Sequence, residues 1–131
     1  MINLIKIHKV RLEIIYRIIM KRIAKGYTAE QLSAILGRPP EYITSLEMLQ
    51  IPLCNEYELQ EIAWALGEDK LSNLFPKITQ SIILNVLMEK EMYGTTYIHS
   101  CDIITDDDKE VPYFFLQEEI VEKAYVFELS D

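Results

Sequence analysis

The sequence predicts an α+β fold, with five helices in residues 1–76 and a small antiparallel sheet in residues 77–131. Two observations lead to this prediction. Apolar residues recur every three or four positions through the first three-fifths of the chain, which is the period of amphipathic helices. After Pro76 the chain is instead rich in β-branched and aromatic residues, which favour strands.

The first helix is predicted from about Ile7 to Lys25. One face of this segment is strongly apolar, which is typical of a helix packed on a core. The residues of that face are Leu12, Ile14, Ile15, Ile18, Ile19 and Ile23. Gly26 is expected to end the helix, because glycine readily adopts the left-handed conformation of a C-terminal cap.

The second helix is predicted to begin at a capping box formed by Thr28 and Gln31. In that motif the hydroxyl accepts from one backbone amide while the glutamine side chain accepts from the other. Gly37 supplies a sharp turn after Leu36. The prolines that follow Arg38 are expected to open a third helix near Pro40, since proline is tolerated in a first turn.

Two more helices are predicted before Pro76. Asn55 and Glu58 form a cap-like pair at the start of the fourth helix, which Gly67 ends. The fifth is a short helix from Lys70 to Phe75. With short connections, these five helices form the predicted N-terminal domain.

The C-terminal region, residues 77–131, is expected to contain strands at Ser81–Glu89 and Thr95–Thr105, with a hairpin tip at Met92–Gly94. The acidic stretch Asp106–Glu110 is interpreted as a solvated loop, and Pro112–Gln117 as a third strand. The segment Glu118–Leu129 is ambiguous and fits a terminal helix slightly better than a strand.

Composition excludes several classes of protein. Half of the residues are hydrophobic, which is enough to form a core, and no apolar run is long enough to span a membrane. The N-terminus resembles neither a signal peptide nor an anchor. The two cysteines, Cys54 and Cys101, lack the spacing of a metal site or a disulfide framework. We therefore expect a cytoplasmic protein with reduced thiols and no membrane association.

Charge is distributed unevenly along the chain. Residues 1–38 contain eight Lys and Arg and two Glu, a net charge of +6, so the remainder carries −14 of the total of −8. Attraction to phosphate depends on the local patch, because more distant charges are screened by salt. The asymmetry predicts a basic binding face joined to an acidic appendage, although the basic residues could also simply solvate the first helix.

Residues 12–75 resemble the lambda-repressor-like helix-turn-helix family, also called the xenobiotic-response-element type. The resemblance rests on several positions in fixed spacing, not on one short motif. The matching residues are Thr28, Glu30, Gln31, Leu32, Gly37, Ile43, Leu46 and Glu47, with Leu59, Ile62, Ala63, Leu66 and Gly67 resembling the fourth helix of the family.

The resemblance implies a prokaryotic, repressor-like regulator of transcription that binds double-stranded DNA. The helix starting near Pro40 would enter the major groove. The implied DNA-contacting residues are Lys21, Arg22, Lys25, Thr28, Arg38, Tyr42, Thr44 and Ser45. Because one recognition helix reads only a few base pairs, we expect a homodimer. The C-terminal region would carry the dimer contact or bind a protein partner.

Two other classes of function compete with DNA binding. In the first, a degenerate helix-turn-helix domain serves as a protein–protein interaction module, with an apolar surface around Tyr42, Met48 and Leu49. The second is an enzyme, which the sequence does not favour. His8 and His99 are isolated from any nucleophile at readable spacing, and the acidic stretch lacks the pattern of a calcium loop. We expect no catalytic residues, no metal site and no cofactor.

Overall fold

The computed structural model describes residues 2–52, 55–77 and 82–119. The elements in chain order are β1 (Ile2–His8), α1 (Lys9–Lys25), α2 (Ala29–Ile35), α3 (Tyr42–Glu47), α4 (Glu56–Ala65), a 3-10 helix (Leu71–Leu74), β2 (Ile83–Tyr93), β3 (Thr96–Ile104) and β4 (Glu110–Glu119). The helices follow one another between β1 and β2, so a strand precedes them as well as follows them.

The four strands form one antiparallel sheet in the order β1-β2-β3-β4. Strands β2 and β3 are joined by a two-residue turn that contains Gly94, whose φ is +62°. Strands β3 and β4 are joined by the acidic loop, as predicted, where the Lys109 amide donates to the Thr105 hydroxyl. A register shift beside Cys101 and Asp102 marks the only irregularity in the β3–β4 pairing of this part of the chain.

The predicted five-helix domain with a small β appendage is wrong. The described residues contain four α-helices, and the predicted fifth helix is a single 3-10 turn. Phe75, which precedes Pro76, is extended and ends this turn, because the residue before a proline is disfavoured in the helical conformation. The sheet is a large part of the fold because it also includes residues 2–8, which pair with β2.

Strand β1 was not predicted, although exposed and half-buried side chains alternate at every position from Ile2 to His8. Its partner lies far along the chain, since Ile2 pairs with Glu89 and His8 with Ile83. Local patterning does not identify such a partner. The predicted domain boundary at residues 76–77 stays a prediction; β1 and β2 pair across it.

Several local predictions about helix ends are confirmed. Gly26 caps α1 in the left-handed conformation, with φ +79°. Thr28 and Gln31 form the full capping box of α2, and the Asn55 side chain accepts from the Glu58 amide at the start of α4. The third helix begins at Tyr42, two residues after Pro40. A residue before proline is disfavoured in helical conformation, so Arg38 and Pro39 stay outside the helix.

One continuous cluster of buried side chains unites the helices with the sheet. It contains the apolar face of α1 together with Val86, Met88, Cys101 and Phe114 from the strands. Tyr16 of α1 stacks on Phe114, with ring centroids 5.3 Å apart. The helices therefore rest on one face of the sheet, and the Tyr16–Phe114 contact joins α1 to β4.

Parts of the C-terminal and cysteine predictions fall outside the described residues. Glu118 and Glu119 belong to β4, and the rest of the segment 118–129 is not described. Cys54 also lies outside, whereas Cys101 is a buried free thiol whose pKa burial raises to about 12. Among the described residues, no helix has the length and apolar character needed to cross a membrane.

Candidate nucleic-acid interface

Helices α2 and α3 form a tightly connected two-helix unit. The buried Ser33 hydroxyl donates to the Ala29 carbonyl at 2.8 Å and accepts from the Ile43 amide at 3.0 Å, which ties the two helices together. Gly37 has φ +67°, a conformation that costs energy for residues with a Cβ. The unit is therefore held by side-chain bonds and a required glycine as well as by apolar packing.

Four of the predicted DNA-contacting residues lie on α3 or just before it, and two of them, Arg38 and Tyr42, are in contact. Arg38, Tyr42, Thr44 and Ser45 are all half-exposed. The Arg38 guanidinium lies over the Tyr42 ring, 5.3 Å from its centroid, and its Nη2 is 3.4 Å from Glu58 Oε1. This group is polar and accessible, but its arginine already faces an acidic residue of α4.

Thr28 lies near Thr44 but faces the sheet. Both threonines line a cleft of about 300 Å³ between the α2–α3 unit and the strands. On the strand side the cleft is lined by Lys90, Tyr97 and Glu118. Lys90 Nζ lies 4.8 Å from the centre of the Tyr97 ring, and burial lowers the pKa of this lysine. The α3 surface that includes Thr44 is therefore bordered by the sheet.

The predicted cations at the end of α1 point to α4 and its following segment. Lys21 Nζ is 2.6 Å from Glu68 Oε1, and the hydrogen bond from this lysine, with another from Asn73, lowers the pKa of Glu68. Lys25 is exposed, and its side chain lies over Gly67. The structure thus does not bring Lys21 or Lys25 into the group around Arg38.

Arg22 has a different environment from the one the sequence suggested. It is 1% exposed, and its guanidinium is bound by two carboxylates and a backbone carbonyl. Nε and Nη2 donate to the Glu47 carboxylate at 2.7 and 2.9 Å. Nη1 and Nη2 donate to the Glu118 carboxylate at 2.5 and 3.0 Å. Nη1 also donates to the Tyr27 carbonyl at 2.8 Å. We therefore leave Arg22 out of the proposed DNA contacts.

This buried network joins three elements that sequence reasoning treated separately. Arg22 belongs to α1, Glu47 ends α3 and Glu118 lies on β4. Burial alone lowers the pKa of the guanidinium, but the two carboxylates more than offset it, so the pKa of Arg22 is raised. The position of α3 is thereby linked to the sheet. Glu47 was noted only as a match to the family pattern, and nothing in the local sequence indicated Glu118.

The two histidines differ in environment. His8 is exposed at the end of β1, whereas His99 is buried in β3 between Met88 and Phe114. Its Nε2 is 3.0 Å from the sulfur of Met88, and burial lowers the pKa of His99 to about 3. Within residues 2–52, 55–77 and 82–119, no three His, Cys, Asp or Glu side chains converge to hold a metal ion.

Comparison with known proteins gives only distant similarities. No protein-family model matches the chain, and no curated protein matches it. Among solved structures, a hypothetical transcription factor, NHTF from Neisseria, matches with 22% identity over 52% of this chain and 76% of that chain, at a TM-score of 0.48.

Other similar structures are those of an enzyme. The apo form of HppE matches with 14% identity over 87% of this chain and 88% of that chain, at a TM-score of 0.47. Hydroxypropylphosphonic acid epoxidase from S. wedmorenis matches with 15% identity over 76% of this chain and 63% of that chain, at a TM-score of 0.43. Similarity at this level extends to both a regulator and an enzyme and does not distinguish between them.

Proposed function

We propose that this chain is a transcriptional regulator that binds double-stranded DNA through the start of α3. The observation that carries the proposal is the half-exposed polar group of Arg38, Tyr42, Thr44 and Ser45 at the turn and first residues of α3. Arginine, serine and threonine side chains at the start of a recognition helix are suited to base edges and phosphates. The proposal is one of binding, with no catalytic role assigned.

The alternative apolar surface on the same helix receives no support from burial. Met48 is fully buried and Leu49 is 7% exposed, so neither offers area to a protein partner. Tyr42 is half-exposed, but its ring carries the Arg38 guanidinium. An interaction module built on these three residues is therefore less well supported than a polar DNA contact.

The acidic partners of the exposed cations do not prevent DNA binding. The Arg38–Glu58 and Lys21–Glu68 pairs lie at the surface, with side chains between 22% and 37% exposed. Such pairs contribute only about 0–1 kcal/mol. A phosphate can replace either carboxylate at small cost, while Lys25 is exposed to solvent. Of the predicted cations, Arg38 contacts a polar residue of α3, Tyr42.

The test is a fluorescence-anisotropy titration with the duplex upstream of the gene for this protein and with a scrambled duplex, across a salt series. Tighter, salt-sensitive binding to the upstream duplex is expected. In Arg38→Ala the slope of log affinity against log salt should fall by about 0.9, the value for one lost phosphate contact. Lys109→Ala is the control, because that exposed lysine lies in the β3–β4 loop.

Two results would reject the proposal. One is the absence of binding to either duplex at low salt. The other is binding that Arg38→Ala and Lys109→Ala weaken equally, since a general electrostatic attraction would then explain it. An unchanged salt slope in Arg38→Ala alone would remove this arginine from the phosphate contacts.

Self-association through the outer face of the sheet is a second proposal, independent of DNA. Large apolar side chains on this face are more than 60% exposed, namely Ile2, Leu4, Ile83 and Phe115. The alternation along each strand directs them away from the helices. Exposed apolar area of this kind is typical of interaction sites, and a twofold dimer would bury the same patch on both subunits.

Sedimentation equilibrium of the intact chain and of Leu4→Lys tests the dimer. The wild type should associate, and the variant should be monomeric because the charge would be buried in the interface. Lys6→Gln, on the same face of β1, is the matched control. A wild-type chain that remains monomeric at high concentration would exclude this use of the sheet.

A further inference from the structure

A second cavity lies on the opposite side of the end of α3 from the cleft, along strand β1. It has a volume of about 480 Å³ and is bounded by β1, the start of α1 and the segment 49–52 that follows α3. Binding pockets for small molecules typically have volumes of about 300–1,000 Å³. This cavity is larger than the cleft beside Thr44 and contains none of the residues proposed to contact DNA.

The lining of this cavity combines an apolar surface with basic side chains. The apolar lining residues are Ile5, Ile7, Ile15, Leu49, Ile51, Pro52 and Ile83. The basic ones are Lys6, His8 and Arg11, and the described lining includes no acidic residue. These residues belong to the N-terminal segment 1–38, whose net charge is +6. In the cleft, by contrast, Glu30 and Glu118 accompany Lys90.

The wall formed by residues 49–52 is held in place by specific contacts. The Asn3 side chain donates to the Met48 carbonyl at 2.8 Å, which ties β1 to the end of α3. The Gln50 amide donates to the Ser45 carbonyl at 2.9 Å. Between these contacts, Leu49 adopts φ +59°, a left-handed conformation that is unfavourable for leucine. These bonds fix the position of residues 49–52 relative to β1, so this wall of the cavity is part of the fold.

We propose that this cavity binds a small amphiphilic anion. The ligand class is an apolar alkyl or aryl body that carries one carboxylate, sulfate or phosphate group. The apolar body would lie against the isoleucines, while the anionic group would pair with Arg11 and Lys6 at the rim. At roughly 30 Å³ per water-sized group, the cavity holds a body of about 16 such groups. A medium-chain fatty acid fits this description in size and charge.

Isothermal titration calorimetry of the intact chain with decanoate tests the proposal directly. Decylammonium, with the same chain and the opposite charge, separates charge recognition from apolar adsorption. We expect decanoate to bind with a dissociation constant below about 1 mM and decylammonium to bind at least tenfold more weakly. Hexanoate should bind more weakly than decanoate, because it buries less apolar area.

Two substitutions locate the site. Arg11→Gln should weaken decanoate binding by roughly tenfold, as expected for loss of one charge-assisted contact. Arg17→Gln is the matched control, because this arginine lies on the same helix but does not line the cavity. Ile7→Phe, which adds volume inside the cavity, should weaken binding of decanoate while leaving all charges in place. Arg11 is exposed, so its replacement should not disturb folding.

Equal binding of decanoate and decylammonium would overturn the proposal, since it would show apolar adsorption without recognition of charge. Equal weakening by Arg11→Gln and Arg17→Gln would also overturn it. If decanoate did not bind the wild-type protein, the proposed ligand class would be wrong. These outcomes are independent of DNA binding, because none of the measurements includes a duplex.

Discussion

Replacing Arg22 with methionine tests whether the buried ion-pair network holds α3 against the sheet. Arg22 uses all five of its N–H donors on Glu47, Glu118 and the Tyr27 carbonyl. Methionine retains an apolar stem but provides no donor. The Glu47 side chain is 0% exposed, so its carboxylate would remain buried without its main partner.

The expected loss in the free energy of unfolding follows from the complete burial of the Glu47 side chain. Breaking a buried pair by removing one partner typically costs about 3–5 kcal/mol. Domains of this size are stable by about 5–15 kcal/mol, so Arg22→Met should lower the urea midpoint substantially. Arg38→Met is the matched control, since its pair with Glu58 is exposed and should contribute about 1 kcal/mol or less.

A second variant separates the ion pair from ordinary packing. Arg22→Met combined with Glu47→Leu removes the fully buried pair and leaves Glu118, whose side chain is 15% exposed, without its arginine. Replacing a buried ion pair with apolar residues is often nearly neutral. The double variant should therefore recover most of the stability lost by Arg22→Met. Urea unfolding followed by circular dichroism measures all four proteins. A loss below about 1 kcal/mol in Arg22→Met, or a double variant no more stable than Arg22→Met, would refute this reasoning.

Three further predictions concern His99, Thr28 and Gly37. The pKa of His99 is 6.5 in the unfolded chain and about 3 in the folded protein, so the stability that depends on the neutral imidazole is fully present above pH 6.5 and is lost as the pH falls towards 3. Below pH 6.5 the free energy of unfolding should fall by about 1.4 kcal/mol per pH unit. Thermal unfolding at several pH values should show that acid destabilises His99→Leu less than the wild type, and equal destabilisation would contradict this prediction. Thr28→Ala should lower the free energy of unfolding in urea by about 1 kcal/mol, because the capping box is lost. Thr28→Ser keeps the hydroxyl oxygen and should lower it little. Equal losses in the two variants would argue against the cap. Gly37→Ala should lower the free energy of unfolding by about 1–2 kcal/mol in the same assay, because alanine is strained at a φ of +67°. Nothing lies within 4 Å of the added methyl group, so the loss would come from the backbone and not from a clash. An unchanged urea midpoint would mean that the turn relaxes.

The sequence alone determined the features that depend on neighbouring residues. The cap of α1 at Gly26, the capping box at Thr28 and the cap at Asn55 each involve residues within a few positions of one another. Such contacts form within a single turn of chain and leave a readable pattern. The same holds for the strongly apolar face of α1 and for the acidic loop between β3 and β4.

Only the tertiary structure decided the role of the cations and the extent of the sheet. Arg22 and Lys21 were assigned to DNA from their local context, but their partners Glu118 and Glu68 lie 96 and 47 residues away. Strand β1 likewise gains its hydrogen bonds from a strand more than 70 residues later. A local window shows a residue's own charge and period, whereas the partner that neutralises or pairs with it depends on how distant segments pack. The same packing created the basic, apolar cavity beside β1, which no motif in the sequence indicates.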